Sequence, residues 1–184
     1  MRVISGEFRG RRLAMVPGNG TRPTADKIKE SMFSMIGPYF DGGDVLDLYA
    51  GTGGLGIEAV SRGMAHGTLV DSAYAAIKTI RENVALTKAE DRFTILKEPV
   101  AAAIKSFGTA NKSFDLIVMD PPYAKQDVMK QLAEFAAGNI IKPGGTVLVE
   151  TGTDVVYPET IEGYTILRHH EYAVAQILVL RREG

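Results

Sequence analysis

Residues 45–56 read Val45-Leu46-Asp47-Leu48-Tyr49-Ala50-Gly51-Thr52-Gly53-Gly54-Leu55-Gly56. A short apolar run meets a glycine-rich turn, and Ile57, Ala59 and Val60 follow as the start of a helix. That order predicts a strand over residues 45–49 and a helix running to about Arg62. Gly51 to Gly56 matches G-x-G-x-x-G, a loop whose backbone approaches a nucleotide at a helix N-terminus. Asp71 stands twenty residues beyond Gly51, at the end of a second strand over 67–70, where an acid meets a ribose. The pattern does not by itself separate a nicotinamide cofactor from S-adenosylmethionine.

Outward from this stretch the chain keeps alternating. The spacing predicts a helix over 74–87, a strand over 93–96, a helix over 100–107, a strand over 116–119 and a helix over 128–137. The turn Lys142-Pro143-Gly144-Gly145 then leads into a strand over 146–150. Strand and helix in alternation imply a parallel sheet with right-handed crossovers and helices on both faces. The expected fold class is therefore α/β and Rossmann-like. The runs 164–168 and 173–181 lie too close together for a helical crossover and should pair antiparallel. Upstream, Thr24 or Asp26 caps a helix to about Met35 with Ile28, Met32, Phe33 and Ile36 on one face, stopped by Gly37-Pro38. In residues 1–22, Gly6, Gly10, Gly18 and Gly20 alternate with arginines, which suggests a small hairpin or extended arm rather than a packed layer. We divide the chain into a basic arm and helix, 1–40, belonging to the same domain as 41–184.

Composition narrows the function classes. The 184 residues are 45% hydrophobic and 23% charged, as in an ordinary soluble domain. With no cysteine, disulfides, thiolate zinc sites and a cysteine nucleophile are excluded. No signal peptide or membrane span is evident, so the cytoplasm is the expected compartment. The net charge of −1 is unevenly spread. Residues 1–29 carry seven basic side chains against Glu7 and Asp26, a surplus of five, which leaves −6 on the remainder. A basic arm on a mildly acidic body suits a polyanion. His66, His169 and His170 lie outside every motif and are expected on the surface or at strand edges.

Two carboxylates bear on the chemistry. Asp47 lies inside the first strand, below the glycine loop. It would repel a pyrophosphate but favour a cofactor with an α-amino group and a sulfonium; it could instead cap the loop's own N–H groups. Asp120-Pro121-Pro122-Tyr123 ends the fourth strand at the edge where ligands sit in open α/β sheets. The prolines stiffen the turn and donate no N–H. Asp120 and the Pro121 carbonyl could accept both N–H bonds of an exocyclic amine, while Tyr123 stacks on its base. A base in a paired stem would have to be unstacked to enter.

The stretch 45–59, followed by Ser61-Arg62-Gly63, resembles the cofactor loop of class I S-adenosylmethionine methyltransferases. It is most similar to the RsmD family, which methylates a guanine N2 amine of 16S rRNA. Arg2-Val3-Ile4, Arg9-Gly10-Arg11-Arg12-Leu13 and Arg22-Pro23-Thr24-Ala25-Asp26 resemble that family's own signature. The resemblance implies a seven-stranded sheet with the last strand antiparallel. It also implies that Thr24 and Asp26 lie near the cofactor or the target pocket. The cofactor set becomes Thr24, Asp47, Tyr49, Ala50, Gly51, Thr52, Gly53, Asp71, Ser72, Glu98 and Val100. The catalytic set is Asp120, Pro121, Pro122 and Tyr123, and no metal is required. This sequence departs from the family at Tyr123, where Phe is usual. It departs again at Lys97-Glu98-Pro99, where Pro99 leaves the adenine contact to Glu98 or the Val100 backbone. The implied partner is 16S rRNA in an assembling small subunit, met by a monomer, with Arg9, Arg11, Arg12 and Arg22 as the implied phosphate contacts. Competing readings are a DNA adenine-N6 methyltransferase, a nicotinamide-dependent reductase and an RNA-binding module without catalysis.

Overall fold

The computed structural model describes residues 1–18, 26–122 and 127–184. In chain order the elements are α1 (Asp26–Ile36), β1 (Asp44–Leu48), α2 (Gly54–Ser61), β2 (His66–Asp71), α3 (Tyr74–Thr87) and β3 (Phe93–Lys97). There follow α4 (Val100–Thr109), β4 (Phe114–Met119), α5 (Val128–Ala137), β5 (Ile141–Thr151), β6 (Tyr164–Glu171) and β7 (Gln176–Arg182). The strands form a seven-stranded sheet in the order β3-β2-β1-β4-β5-β7-β6. β1 to β5 pair in parallel, and β7 runs antiparallel to both β5 and β6.

Period-2 alternation sorts the sheet's side chains into two layers. Val45, Leu116, Val118, Leu148, Ile177 and Val179 face the side covered by α1, α2 and α3. Leu46, Leu48, Ile117, Met119, Val147, Val149, Leu178 and Leu180 face α4 and α5. Sandwiched strands of this kind need apolar residues on both faces, which is why 116–119 reads as an unbroken hydrophobic run.

On α1, Met32 and Phe33 are buried and Ile28 and Ile36 pack half-buried on the same cluster, as expected, with Lys29 buried beside them. Two expectations need correction. Over residues 1–18 the arm is a hairpin but a packed one: Arg2 and Arg12 form an antiparallel bridge, and Val3, Phe8 and Leu13 are buried in the α1–α3 side core. Residues 142–145, read as a turn, lie inside β5, and a register irregularity between Phe114 and Leu116 absorbs them against β4.

Candidate active site

The parallel register places the two functional loops together. Leu48 stands opposite Met119, so Tyr49 and Asp120 leave neighbouring strands on the same edge, about 4.8 Å apart by strand spacing. β2, on the other side of β1, brings Asp71 to that edge.

The glycine loop is built from hydrogen bonds that its own glycines cannot supply. Gly53 caps α2 at φ 83° and offers no side chain. The exposed N–H groups are instead taken up by neighbours. Gly51 N–H donates to Asp71 Oδ2 (2.9 Å), Gly54 N–H to Thr52 Oγ1 (3.1 Å) and Gly56 N–H to Asp47 Oδ2 (2.9 Å). The last bond follows from strand alternation, because Asp47 shares Val45's face, directly beneath α2. Gly56 permits that approach: a Cβ there would lie 2.2 Å from Leu69 Cδ2. Among the described residues, a Cβ on Gly51 would meet nothing nearer than Tyr49 O at 4.0 Å.

Asp47 is 1% exposed. Burial pushes its pKa up to about 8; the Gly56 N–H opposes that, and the charges of Asp120 and Asp71 add to it. Three carboxylates thus sit within electrostatic reach on adjacent strand ends. Among the described residues no group of three or more such side chains converges as a metal site. The folded pKa of Asp47 lies above its unfolded value of 3.8. Folding therefore retains a proton between about pH 4 and 8, and stability falls as pH rises through that window. Asp47→Asn should stabilise the free protein by on the order of 2–4 kcal/mol near pH 8. The gain should fade toward pH 4, and affinity for a cationic ligand should drop. Thermal unfolding across pH checks this; a variant less stable than wild type at pH 8 would contradict it.

The remaining expected residues fall as follows. Ala50 and Thr52 are buried in the loop, and Ser72 is exposed beyond β2. Glu98 is half-buried, and its N–H donates to Asp71 O (3.1 Å), which holds the β3–α4 turn beside β2. Val100 opens α4. Pro121 is buried and Pro122 exposed. Thr24, Arg22 and Tyr123 lie outside the described residues. Asp26 pairs with Arg2 at 3.8 Å. Of the arm's described arginines, Arg9 and Arg11 lie away from the site. Arg12 lies opposite Arg2, whereas Arg11 sits over Phe8 and donates to Glu7 O near the hairpin tip. Arg9 is exposed there. That tip packs on Ser61 and Arg92, at the sheet's opposite edge. His66, His169 and His170 bond or stack away from the glycine loop.

Sequence reading missed the buried charges. Glu58, fully buried on α2, accepts from Ile4 N–H (2.9 Å), Ser5 N–H (3.1 Å) and Arg62 Nε (2.8 Å). Its Oε1 also lies 3.4 Å from Lys29 Nζ. Burial lowers the Lys29 pKa, against the opposing pull of Glu58. Asn83, also fully buried, holds both backbone groups of Ala14 and donates to Thr52 O at 2.8 Å. Through these two residues the arm is stitched to the helices that carry the glycine loop.

Comparison with known proteins agrees with this architecture. The family model described as Conserved hypothetical protein 95 matches residues 1–181. YlbH of Bacillus subtilis, provisionally described as an rRNA methyltransferase, is 38% identical over 184 residues and covers 100% of both chains. Ribosomal RNA small subunit methyltransferase D of Haemophilus influenzae is 28% identical, covering 91% of this chain and 86% of that one. A solved Escherichia coli structure, provisionally described as the methyltransferase yhhF, matches with a TM-score of 0.86 at 24% identity, covering 100% and 98%. That last likeness speaks for the fold. With its whole length accounted for in this way, the chain belongs to the Conserved hypothetical protein 95 family, the RsmD family, and is a methyltransferase of the class I fold.

Proposed function

We propose that this protein transfers a methyl group from S-adenosylmethionine to the exocyclic N2 amine of a guanine in 16S rRNA, acting as a monomer on an assembling small subunit. One observation carries the reading. The glycine loop and Asp120 leave adjacent strands side by side, Asp71 reaches the same edge, and Asp47 lies buried beneath the loop. The carboxylates of Asp71 and Asp120 at that edge fit a cationic ligand and oppose a dinucleotide's pyrophosphate.

S-adenosylmethionine supplies a methyl group on a positively charged sulfur. The glycine loop, held from beneath by Asp47, would orient its amino-acid end, Asp71 would take the ribose, and Glu98 or the Val100 backbone would take the adenine. Asp120 and the Pro121 carbonyl accept the amine's N–H bonds, which turns the nitrogen lone pair toward the methyl carbon. Pro121 and Pro122 keep those acceptors fixed, so their orientation is complete before positive charge develops on nitrogen. Tyr123 stacks on the base and Thr24 borders the pocket; both are assigned from the family resemblance.

Small subunits lacking the modification, incubated with the protein and methyl-labelled S-adenosylmethionine, should yield label in a single N2-methylguanosine of 16S rRNA. Label on DNA adenine alone would replace this reading with the DNA one. RNA binding without label would leave a binding module.

We assign Arg9 and Arg11, at the hairpin tip across the domain from the ligand edge, to phosphates that flank the target, and Arg12 and Arg22 to the same role from the family resemblance. Reversing the charge of Arg9, Arg11 and Arg12 together should weaken RNA binding and lower the slope of log affinity against log salt by about 2. Turnover at saturating RNA should hold. An unchanged salt slope would remove the arm from the interface.

A further inference from the structure

Tyr49 is the first residue past β1 and sits at φ 58°, a left-handed conformation that costs a non-glycine residue about 1–3 kcal/mol. The turn sends its side chain to the face opposite the rest of the loop. Ala50 and Leu55 pack on the α1–α3 side, whereas Tyr49 packs against the α4–α5 cluster. There its hydroxyl accepts a hydrogen bond from Gln131 Nε2 at 2.6 Å. Gln131 lies in the first turns of α5, 6% exposed, and among the described residues its Oε1 has no partner. Turning the amide end for end would move the orphan to Nε2 without removing it. A buried unpaired amide atom costs about 1–3 kcal/mol, and a Phe–Leu pair of similar shape would avoid it. Two local costs therefore meet at one contact, and stability does not account for it.

Position does. Tyr49 leads directly into Ala50 and Gly51, while α5 begins at Val128, eight residues after Asp120 in the chain. We infer that Tyr49 and Gln131 are a positioning pair. Their hydrogen bond fixes the glycine loop against the helix that follows Asp120 in sequence, and so sets the separation of methyl donor and amine. The inference rests on the methyltransferase reading for its purpose, but the coupling itself is measurable without any ligand. Neither residue touches the reacting atoms. A misplacement of about 1 Å between reacting groups can cost on the order of a hundredfold in rate.

The test uses Tyr49→Phe, Gln131→Leu and the double variant in the full chain. In the ligand-free protein, Gln131→Leu should speed amide hydrogen exchange at residues 50–53, and Tyr49→Phe at 130–132, each roughly tenfold, reporting local opening. Thermal midpoints should stay at or above wild type. At saturating donor and RNA, each single variant should lose roughly 10–100-fold in kcat, and the double should lose no more than either single. Unchanged exchange across the contact overturns the pair whether or not the protein methylates RNA. Losses that multiply in the double variant, or turnover equal to wild type, overturn it as well. If wild type itself transfers no methyl group while the exchange coupling is seen, the methyltransferase reading fails and the contact stands.

Discussion

Asp120→Ala should lower kcat for methyl transfer by about two to three orders of magnitude, with RNA and donor affinity changed little. An exocyclic amine is a poor nucleophile because its lone pair is spread into the ring. In the proposed reaction Asp120 accepts a hydrogen bond from the amine and balances the positive charge that grows on nitrogen. That interaction is stronger in the transition state than in the ground state, so its loss should show in kcat rather than in KM. Asp120→Asn keeps one acceptor oxygen and loses the charge, and should fall between Ala and wild type. Removing Asp120 also takes away one of the charges that raise the Asp47 pKa, so the variants should ionise Asp47 at a lower pH. Single-turnover rates at saturating RNA and donor decide the matter. A kcat within threefold of wild type for Asp120→Ala would take this carboxylate out of the mechanism.

Glu58→Ala should destabilise the fold by about 3–5 kcal/mol, which for a domain of this size lowers the melting temperature by roughly 10 °C. The loss exceeds that of an ordinary ion pair because of what stays behind. Lys29 (0% exposed) and Arg62 (4% exposed) would be left as buried cations, and the N–H groups of Ile4 and Ser5 would lose their acceptor. Glu58→Gln keeps an acceptor for the N–H groups without the charge and should cost less. Replacing Glu58 and Lys29 together with Leu and Met should recover part of the loss, as for other buried ion pairs exchanged for apolar residues. Chemical denaturation separates these cases. A Glu58→Ala midpoint within about 2 °C of wild type would mean that the network adds nothing.

The central fold was legible because its pattern is local. The helices Tyr74–Thr87 and Val128–Ala137 lie where apolar spacing put them, and the hairpin 164–182 had to be antiparallel because no crossover fits between its strands. Legibility failed where contacts between distant residues override local signals. Pro143-Gly144-Gly145 reads as a turn, yet Gly144 at φ 78° lies within a strand whose register against β4 is broken. β6 continues through His169 and His170 to Glu171 because an edge strand can carry polar residues on both sides, and the irregularity between Ile166 and Arg168 breaks its period. In the site, Asp47, Gly51, Asp71 and Asp120 follow from spacing along strands. Glu58, Lys29, Asn83 and Gln131 give no such signal; their roles depend on partners 27 to 82 residues away.

Gly6 touches the backbone of α2 so closely that a Cβ would fall 1.9 Å from Ser61 O. Glu7 and Phe8 donate their N–H groups to the same residue. The arm is synthesised ahead of α2 and has no seat until that helix is made, some 53 residues later. At about 5–20 residues per second that is a wait of roughly 3–10 s. For that interval an arginine-rich ribbon trails beside the translating ribosome before it is tucked away.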